Sequence, residues 1–207
     1  MNNKIKVLIA DDHAIVRLGL SALLSSKKDI EVVGQSRNGE AVVHDTLRLS
    51  PDVVIMDLMM PKMDGIAATA EIKARRPETK IIILTTFATS DGIIRALEAG
   101  ATGAILKNAE NNSLVTMIRK VAAGESVVAP DVEALLQKDP PVAKLTLRQT
   151  EVLESLCRGL TNKDIAKQFN ISDRSVAEHV EAILAKIGAS NRTEAAVIAL
   201  RKHLLKI

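Results

Sequence analysis

The sequence predicts an α/β protein: a doubly wound five-stranded parallel sheet, followed by a small all-α domain. Short β-branched runs alternate with helical patterns over about the first 125 residues, and only helical patterns follow residue 145. Hydrophobic residues make up 47% of the 207 residues and charged residues 26%. Because this composition supplies apolar material for packed cores, it excludes a disordered or fibrous chain. The length allows one large domain or two ordinary ones.

Five apolar runs predict the strands, at residues 4–10, 31–35, 52–56, 80–84 and 103–106. Between them, apolar residues recur at spacings of three and four, which predicts helices. The expected N-caps of these helices are Asp12, Asn38, Asp64 and Ser90. Strands that are apolar along their length are buried on both faces, as in a parallel sheet between helices. Ligands of such sheets bind beyond the carboxyl ends of the strands.

A second domain is predicted after Asp139-Pro140-Pro141, because this segment can neither continue a helix nor pair in a central strand. We therefore predict a first domain over residues 1–125, a linker over 126–144 and a second domain over 145–207. The second domain has four helical stretches, at residues 147–157, 162–169, 173–187 and 193–205. The second and third of these stretches are a helix-turn-helix candidate.

Composition excludes several classes of protein. No apolar run approaches the roughly 18 residues that span a bilayer, and the amino terminus lacks a signal peptide's long apolar region, so we expect a cytoplasmic protein without membrane contact. Cys157 is the single cysteine, which excludes an internal disulfide framework. With two Phe and no Trp or Tyr, the chain is a poor candidate for stacking single-stranded nucleic acid.

Polar residues at the ends of four predicted strands point to a phosphate chemistry. These residues are Asp11 and Asp12 after the first strand, Asp57 after the third, Thr85 at the end of the fourth and Lys107 after the fifth. Adjacent carboxylates repel one another unless a cation neutralises them, and hard oxygen ligands suit Mg²⁺. A carboxylate beside that metal is a candidate nucleophile toward phosphorus, and we assign this role to Asp57. Lys107 and the Thr85 hydroxyl would then contact the phosphoryl oxygens.

Each of these residues also has a simpler interpretation. Asp12 could cap the first helix, with or without binding metal, Thr85 could be an ordinary strand residue, and Lys107 could be a solvated lysine. Their joint placement at one edge of a parallel sheet favours the shared pocket over the separate roles.

The first domain resembles the receiver domain of bacterial response regulators, which has a flavodoxin-like fold. The resemblance rests on Ala10-Asp11-Asp12-His13, on Met56-Asp57 followed by Pro61 and Asp64-Gly65, on Leu84-Thr85 and on Leu106-Lys107. It implies phosphoryl transfer from a partner sensor histidine kinase to Asp57. It also implies that Mg²⁺ is held by Asp11, Asp12, Asp57 and the backbone carbonyl of Met59.

The second domain resembles the LuxR-type helix-turn-helix, which makes the whole chain similar to a NarL/FixJ-type response regulator. The motifs begin at Leu145, Gly159, Ile171 and Ser190. The resemblance implies that phosphorylation of Asp57 drives formation of a homodimer and binding to double-stranded promoter DNA. On this interpretation the protein is not an enzyme, since it catalyses only its own phosphoryl transfer and dephosphorylation.

The third helix of this domain is the predicted recognition helix, because apolar residues fill one of its faces and leave the other for the major groove. The expected DNA-binding residues are Lys163, Lys167, Arg174, Ser175, Ala177, Glu178 and Glu181. Of these, Lys163, Lys167 and Arg174 are the expected phosphate contacts. Carboxylates oppose binding to phosphates, although glutamate can accept a hydrogen bond from cytosine N4.

Two other functions compete with this one. The two glutamates allow a signalling regulator whose output domain has lost DNA affinity and acts through protein contacts. A phosphohydrolase would share the aspartyl-phosphate chemistry, but such enzymes usually carry a second Asp two residues after the nucleophile, where this chain has Met59. The aromatic residue that changes rotamer in many receivers is replaced by Ala104, so any signal must travel by backbone or helix movement.

Dephosphorylation of Asp57 is expected to be slow. The resemblance places Met59 and Phe87 beside the attacking water, and neither apolar side chain offers that water a hydrogen bond. The decay of the phosphorylated protein after removal of the phosphodonor measures this rate, and a half-life of seconds would contradict the expectation.

Overall fold

The computed structural model describes residues 4–86, 90–202 and 204–205, apart from the side chain of Asn111. The chain divides into two compact units, one formed by residues 1–88 and 92–138 and the other by residues 89–91 and 139–207. Among the described residues, no helix has the length and apolar character needed to cross a membrane.

The first unit contains a parallel sheet with helices, which confirms the predicted doubly wound fold. The strand order is β2-β1-β3-β4-β5-β6. The strands are β1 Ile5–Ala10, β2 Ile30–Ser36, β3 Val53–Met56, β4 Lys80–Thr85, β5 Gly103–Leu106 and β6 Val127–Val128. The helices along this part of the chain are α1 Ala14–Ser25, α2 Gly39–Leu49, α3 Gly65–Arg75, α4 Ser90–Glu98, α5 Asn111–Ala122 and α6 Pro130–Lys138.

The core of the first unit lies on the central strands. All four residues of β3 are buried, as are residues 7–10 of β1 and 81–85 of β4. In the register of the sheet, Ala10 is paired with Met56 on β3. The strands therefore end side by side, and the residues that follow them are brought to one edge.

The sixth strand and α6 correct the predicted linker over residues 126–144. The Val127 amide donates to the carbonyl of Thr102 at 3.1 Å, and the Ala129 amide donates to that of Ala104 at 3.0 Å. Val132 on α6 is fully buried in the core of this unit. A two-residue strand is too short to show an alternating pattern in the sequence, so only its pairing with β5 reveals it.

The second unit contains α7 Leu147–Cys157, α8 Asn162–Phe169, α9 Asp173–Ile187 and α10 Arg192–Arg201. The first three have the predicted bounds, and α10 is shorter than predicted. Side chains cap all four helices at their amino ends, with capping boxes at Thr146 and Thr161. Buried residues of α7, α8, α9 and α10 form one core, including Leu153, Ile165 and Ile183.

Gly65 allows the segment after β3 to fold back on itself. The Gly65 amide donates to the carbonyl of Leu58 at 2.9 Å, and a Cβ atom at Gly65 would lie 2.1 Å from the backbone oxygen of Asp57. Because backbone atoms cannot move aside as a flexible side chain does, any larger residue would displace the turn that follows Asp57.

Replacing Gly65 by Ala is expected to lower the free energy of unfolding by roughly 1–3 kcal/mol, because the new methyl group overlaps the Asp57 carbonyl. The matched control is Gly19→Ala in the middle of α1, where a Cβ atom would meet nothing within 4 Å. In the control, the free energy of unfolding is expected to rise by about 0.5–1 kcal/mol, because Ala has a higher helix propensity than Gly. Urea unfolding of the two variants measures both effects, and equal stabilities would contradict the argument.

Candidate functional site

The carboxyl edge of the sheet brings together four of the predicted pocket residues. Asp11 follows β1, Asp57 follows β3, Thr85 ends β4 and Lys107 follows β5. Backbone hydrogen bonds fix these positions: the Asp57 amide donates to the carbonyl of Ala10, and the Lys107 amide donates to that of Thr85, each at 2.9 Å. Asp11, Asp57 and Thr85 are all buried. The strand ends therefore build one pocket, as the sequence predicts.

The ammonium group of Lys107 joins the two buried carboxylates. Its Nζ atom lies 2.6 Å from Oδ2 of Asp11 and 2.9 Å from Oδ2 of Asp57. Burial alone lowers the pKa of Lys107, but its hydrogen bonds to Asp11 and Asp57 outweigh burial and hold that pKa above the ordinary value. Contact with the two carboxylates therefore favours the charged form of Lys107 in this pocket.

The ionised form of the Asp57 carboxyl group is less stable in this pocket than it would be in water. Burial raises the pKa of Asp57 above its ordinary value, and the neighbouring charge of Asp11 adds to the rise. Hydrogen bonds from Lys107 and from the amide of Met59 oppose the rise without cancelling it. One lysine thus stabilises the two carboxylates only in part, which leaves the pocket short of positive charge.

Asp12 and His13 lie at the open side of the pocket. Both are exposed, and Nδ1 of His13 lies 2.7 Å from Oδ1 of Asp12. The N-cap position of α1 is occupied by His13, whose side chain makes no capping hydrogen bond, so the interpretation of Asp12 as the cap of this helix is wrong. The carboxylate of Asp12 is accessible to a ligand from solvent.

The donor set fits a hard divalent cation. Asp11, Asp12, His13 and Asp57 each offer one ligand atom, and these atoms all lie within 4.8 Å of one another. Three of the four donors are carboxylates, and oxygen-rich sites that keep open coordination positions suit Mg²⁺. Met59, predicted to contribute its backbone carbonyl, follows β3 in an exposed position. Phe87 lies outside the described residues.

Sequence reasoning missed Arg17, which supports the acidic turn. Its Nη1 atom donates to the backbone carbonyl of Asp11 at 2.8 Å. The side chain of Asp11 in turn accepts the His13 amide at 2.8 Å. The sequence offers one signal for this role of Arg17. Arg17 stands four residues after His13, and a helix places residue i+4 next to residue i, so its side chain lies near the turn that precedes the helix.

The second unit presents a polar stripe along α9. Arg174, Ala177, Glu178 and Glu181 are exposed and share one side of the helix at spacings of three and four, while Val176, Ile183 and Ile187 are buried on the other. Nε of Arg174 lies 3.1 Å from Oε1 of Glu178. The predicted recognition helix therefore has an unburied face of mixed charge.

Several basic residues of this unit differ in how far they are available to a ligand. Lys163 and Lys167 on α8 are exposed, as predicted for phosphate contacts. Three others are held within the unit: Nζ of Lys186 donates to Oε1 of Gln149 at 2.8 Å, Nη2 of Arg192 donates to the carbonyl of Leu160, and Arg148 lies over the ring of Phe169.

Ser175 also has a structural role. Its amide donates to Oγ of Ser172 at 3.1 Å, and the two hydroxyl oxygens lie 2.9 Å apart, which caps α9. The cap holds Ser175 at the first turn of the helix, where the residues of a recognition helix approach base edges.

Comparison with known proteins assigns both units. The family of response regulator receiver domains matches residues 7–119, which include Asp11, Asp57, Thr85 and Lys107. The family described as bacterial regulatory proteins, luxR family, matches residues 143–199, which include the whole of α9.

Individual relatives match over nearly the whole chain. The response regulator protein VraR of Staphylococcus aureus is 37% identical over 207 residues, covering 98% of this chain and 99% of the relative. The crystal structure of response regulator ChrA of a heme-sensing two-component system is 36% identical, covers 98% of this chain and 100% of that one, and has a TM-score of 0.59. A structure of two RcsB dimers bound to two parallel DNAs is 27% identical, covers 96% and 99% of the two chains, and has a TM-score of 0.71. The chain therefore belongs to the response regulators that join a receiver domain to a luxR-family DNA-binding domain.

Proposed function

We propose that Asp57 accepts a phosphoryl group from a sensor histidine kinase in the presence of Mg²⁺, and that this controls homodimer formation and binding to promoter DNA. The observation that carries the proposal is the contact of Lys107 with the buried carboxylates of Asp11 and Asp57, within a receiver domain. The protein acts as a regulator and not as a classical enzyme, and we place it in the cytoplasm with the DNA that it binds.

The transfer uses the free carboxylate of Asp57 as the nucleophile. One of its oxygens attacks the phosphorus of a phosphohistidine, an O–P bond forms, the N–P bond breaks, and the imidazole leaves with the electron pair. Asp11, Asp12, Asp57 and the carbonyl of Met59 would hold Mg²⁺, which would supply positive charge next to the transferred group. The ammonium group of Lys107, which contacts Oδ2 of Asp57 before the transfer, then donates to a phosphoryl oxygen. The Thr85 hydroxyl also donates to a phosphoryl oxygen.

Phosphorylation then changes the charge of a buried pocket. The phosphoryl group adds roughly −1.5 to −2 charges at neutral pH if it behaves like other phosphorylated side chains. Because Lys107 follows β5 and Thr85 ends β4, new bonds to these residues pull on two neighbouring strand ends. Ala104 is small and buried, so the change passes through backbone or helix movement and not through an aromatic rotamer. Such a movement shifts the chain between two states.

The second domain supplies the output. We propose that α9 enters the major groove, with Ser175, Ala177, Glu178 and Glu181 facing the DNA. Lys163, Lys167 and Arg174 then contact phosphates and supply the attraction that does not depend on sequence. The luxR-family match supports this function over the alternative regulator that has lost DNA affinity.

Asp57→Asn is expected to abolish dimer formation in response to a phosphodonor or to its analogue beryllofluoride, because an amide neither attacks phosphorus nor binds the analogue as a carboxylate does. The measurement is the mass in solution with and without Mg²⁺ and beryllofluoride, combined with selection of random duplex DNA. Asp52→Asn is the matched control, since this exposed residue accepts the Lys6 amide through an oxygen that asparagine retains. Equal dimer formation with and without treatment would place the regulation elsewhere.

Lys163→Gln and Lys167→Gln are each expected to weaken DNA binding about equally for all sequences. Each lost phosphate contact should reduce the slope of log affinity against log salt by about one. Arg75→Gln on α3 is the control, because it removes one exposed charge from the receiver unit. Titration of labelled duplex at several salt concentrations measures the slope. An unchanged slope in both lysine variants would exclude them as phosphate contacts.

A further inference from the structure

We infer that Glu178 selects cytosine in the major groove and that Arg174 is the positioning residue that holds its carboxylate there. The inference rests on the proposed DNA-binding function and names the base-specific element of that surface. It starts from an otherwise unexplained feature of the recognition helix, the glutamate at the centre of its exposed stripe.

Within the part of its unit that the structure describes, the carboxylate of Glu178 accepts no capping or tertiary hydrogen bond. Its side chain is 65% exposed, and the one ion pair described for it is with Arg174, which is itself 90% exposed. Other carboxylates of the unit do support the fold: Asp164 accepts the Thr161 amide in a capping box, and Glu194 accepts the Ser190 amide at 2.7 Å. Glu178 is thus available to a ligand that approaches the exposed side of α9.

The hydrogen-bond pattern of the bases decides which ligand suits a carboxylate. An ionised carboxylate only accepts, and in the major groove guanine presents two acceptors and thymine one acceptor beside a methyl group. Adenine presents its amino donor next to the N7 acceptor, which repels a carboxylate. Cytosine presents the N4 amino donor without a neighbouring acceptor on its own edge. Glu178 therefore favours cytosine over the other three bases.

Arg174 reduces the repulsion between the Glu178 carboxylate and the negatively charged DNA backbone. Its Nε atom lies 3.1 Å from Oε1 of Glu178, so the guanidinium partly neutralises the carboxylate and restricts its orientation. This geometry uses one edge of the guanidinium and leaves terminal amino groups for a phosphate. The methyl side chain of Ala177, next to Glu178, allows the helix to approach the base edges closely.

Glu181 provides the matched comparison on the same stripe. It is exposed like Glu178, but Ala177 stands four residues before it and Ala185 four residues after it, so no cation on α9 occupies the positions that pair along a helix. No ion pair of Glu181 occurs within residues 4–86, 90–202 and 204–205. Glu181 therefore acts on DNA by charge repulsion alone.

The test is selection of random duplex DNA by the full-length protein with Mg²⁺ and beryllofluoride, followed by affinity measurements on the selected sequence and its single-base variants. The unsubstituted protein is expected to prefer cytosine by about fivefold or more at one position of each half-site. Glu178→Gln should move that preference to adenine, whose N6 and N7 atoms bind an amide, and Glu178→Ala should remove it. Arg174→Ala should lower both affinity and the preference at the same position.

Glu181→Gln separates base selection from charge. It is expected to raise affinity for all sequences and leave the cytosine preference unchanged. If Glu178→Gln gives the same uniform rise with an unchanged motif, Glu178 does not select a base and the inference is wrong. If the unsubstituted protein and every variant bind no duplex at all, the proposed DNA-binding function itself fails. All three substituted positions are exposed, so thermal unfolding of the four variants should match that of the unsubstituted protein.

Discussion

The charge balance around Lys107 is the constraint on which the receiver unit depends. One ammonium group lies within hydrogen-bond distance of the carboxylates of both Asp11 and Asp57, and all three side chains are nearly inaccessible to water. When both carboxylates are ionised, one negative charge stays uncompensated, which agrees with the raised pKa of Asp57. A divalent cation would supply the missing charge, and a phosphoryl group would add negative charge at the same place. The pocket is therefore sensitive to both ligands.

Strand register, and not the loops alone, positions this pocket. Ala10 is paired with Met56, and Thr85 is paired with Leu106, so the residues that follow neighbouring strands lie together. Because these strands are buried on both faces, a shift of one residue would exchange the side chains that pack on the two sides of the sheet and would move the residues that follow the strands out of line. The chemistry thus depends on the same packing that stabilises the fold. Gly65 extends this dependence to the turn after Asp57, where the backbone passes too close for a side chain.

Some charged residues of the second unit stabilise its fold, and others are available for recognition. Lys186 and Arg192 reach the side chain of Gln149 and the carbonyl of Leu160, and so join segments that are distant in sequence. Arg174 and Glu178 are left on the exposed side of α9, where they pair with each other. The formal net charge of +3 is therefore a poor guide to DNA binding, because the cations differ in how far they are available to phosphates.

The sequence by itself determined the parallel sheet, the bounds of α7 to α9 and the residues at the strand ends, because apolar periodicity is local and parallel strands end at one edge. Only the tertiary structure decided the short strand β6, the helix α6 and the side-chain partners. A two-residue strand has no period, and the hydrogen bonds of Arg17 and Lys186 depend on how neighbouring elements pack. His13 occupies the N-cap position expected for Asp12 for the same reason: the Asp11 amide donates to the carbonyl of Ser36 on β2 at 3.2 Å, and this contact from outside the helix helps to fix the turn.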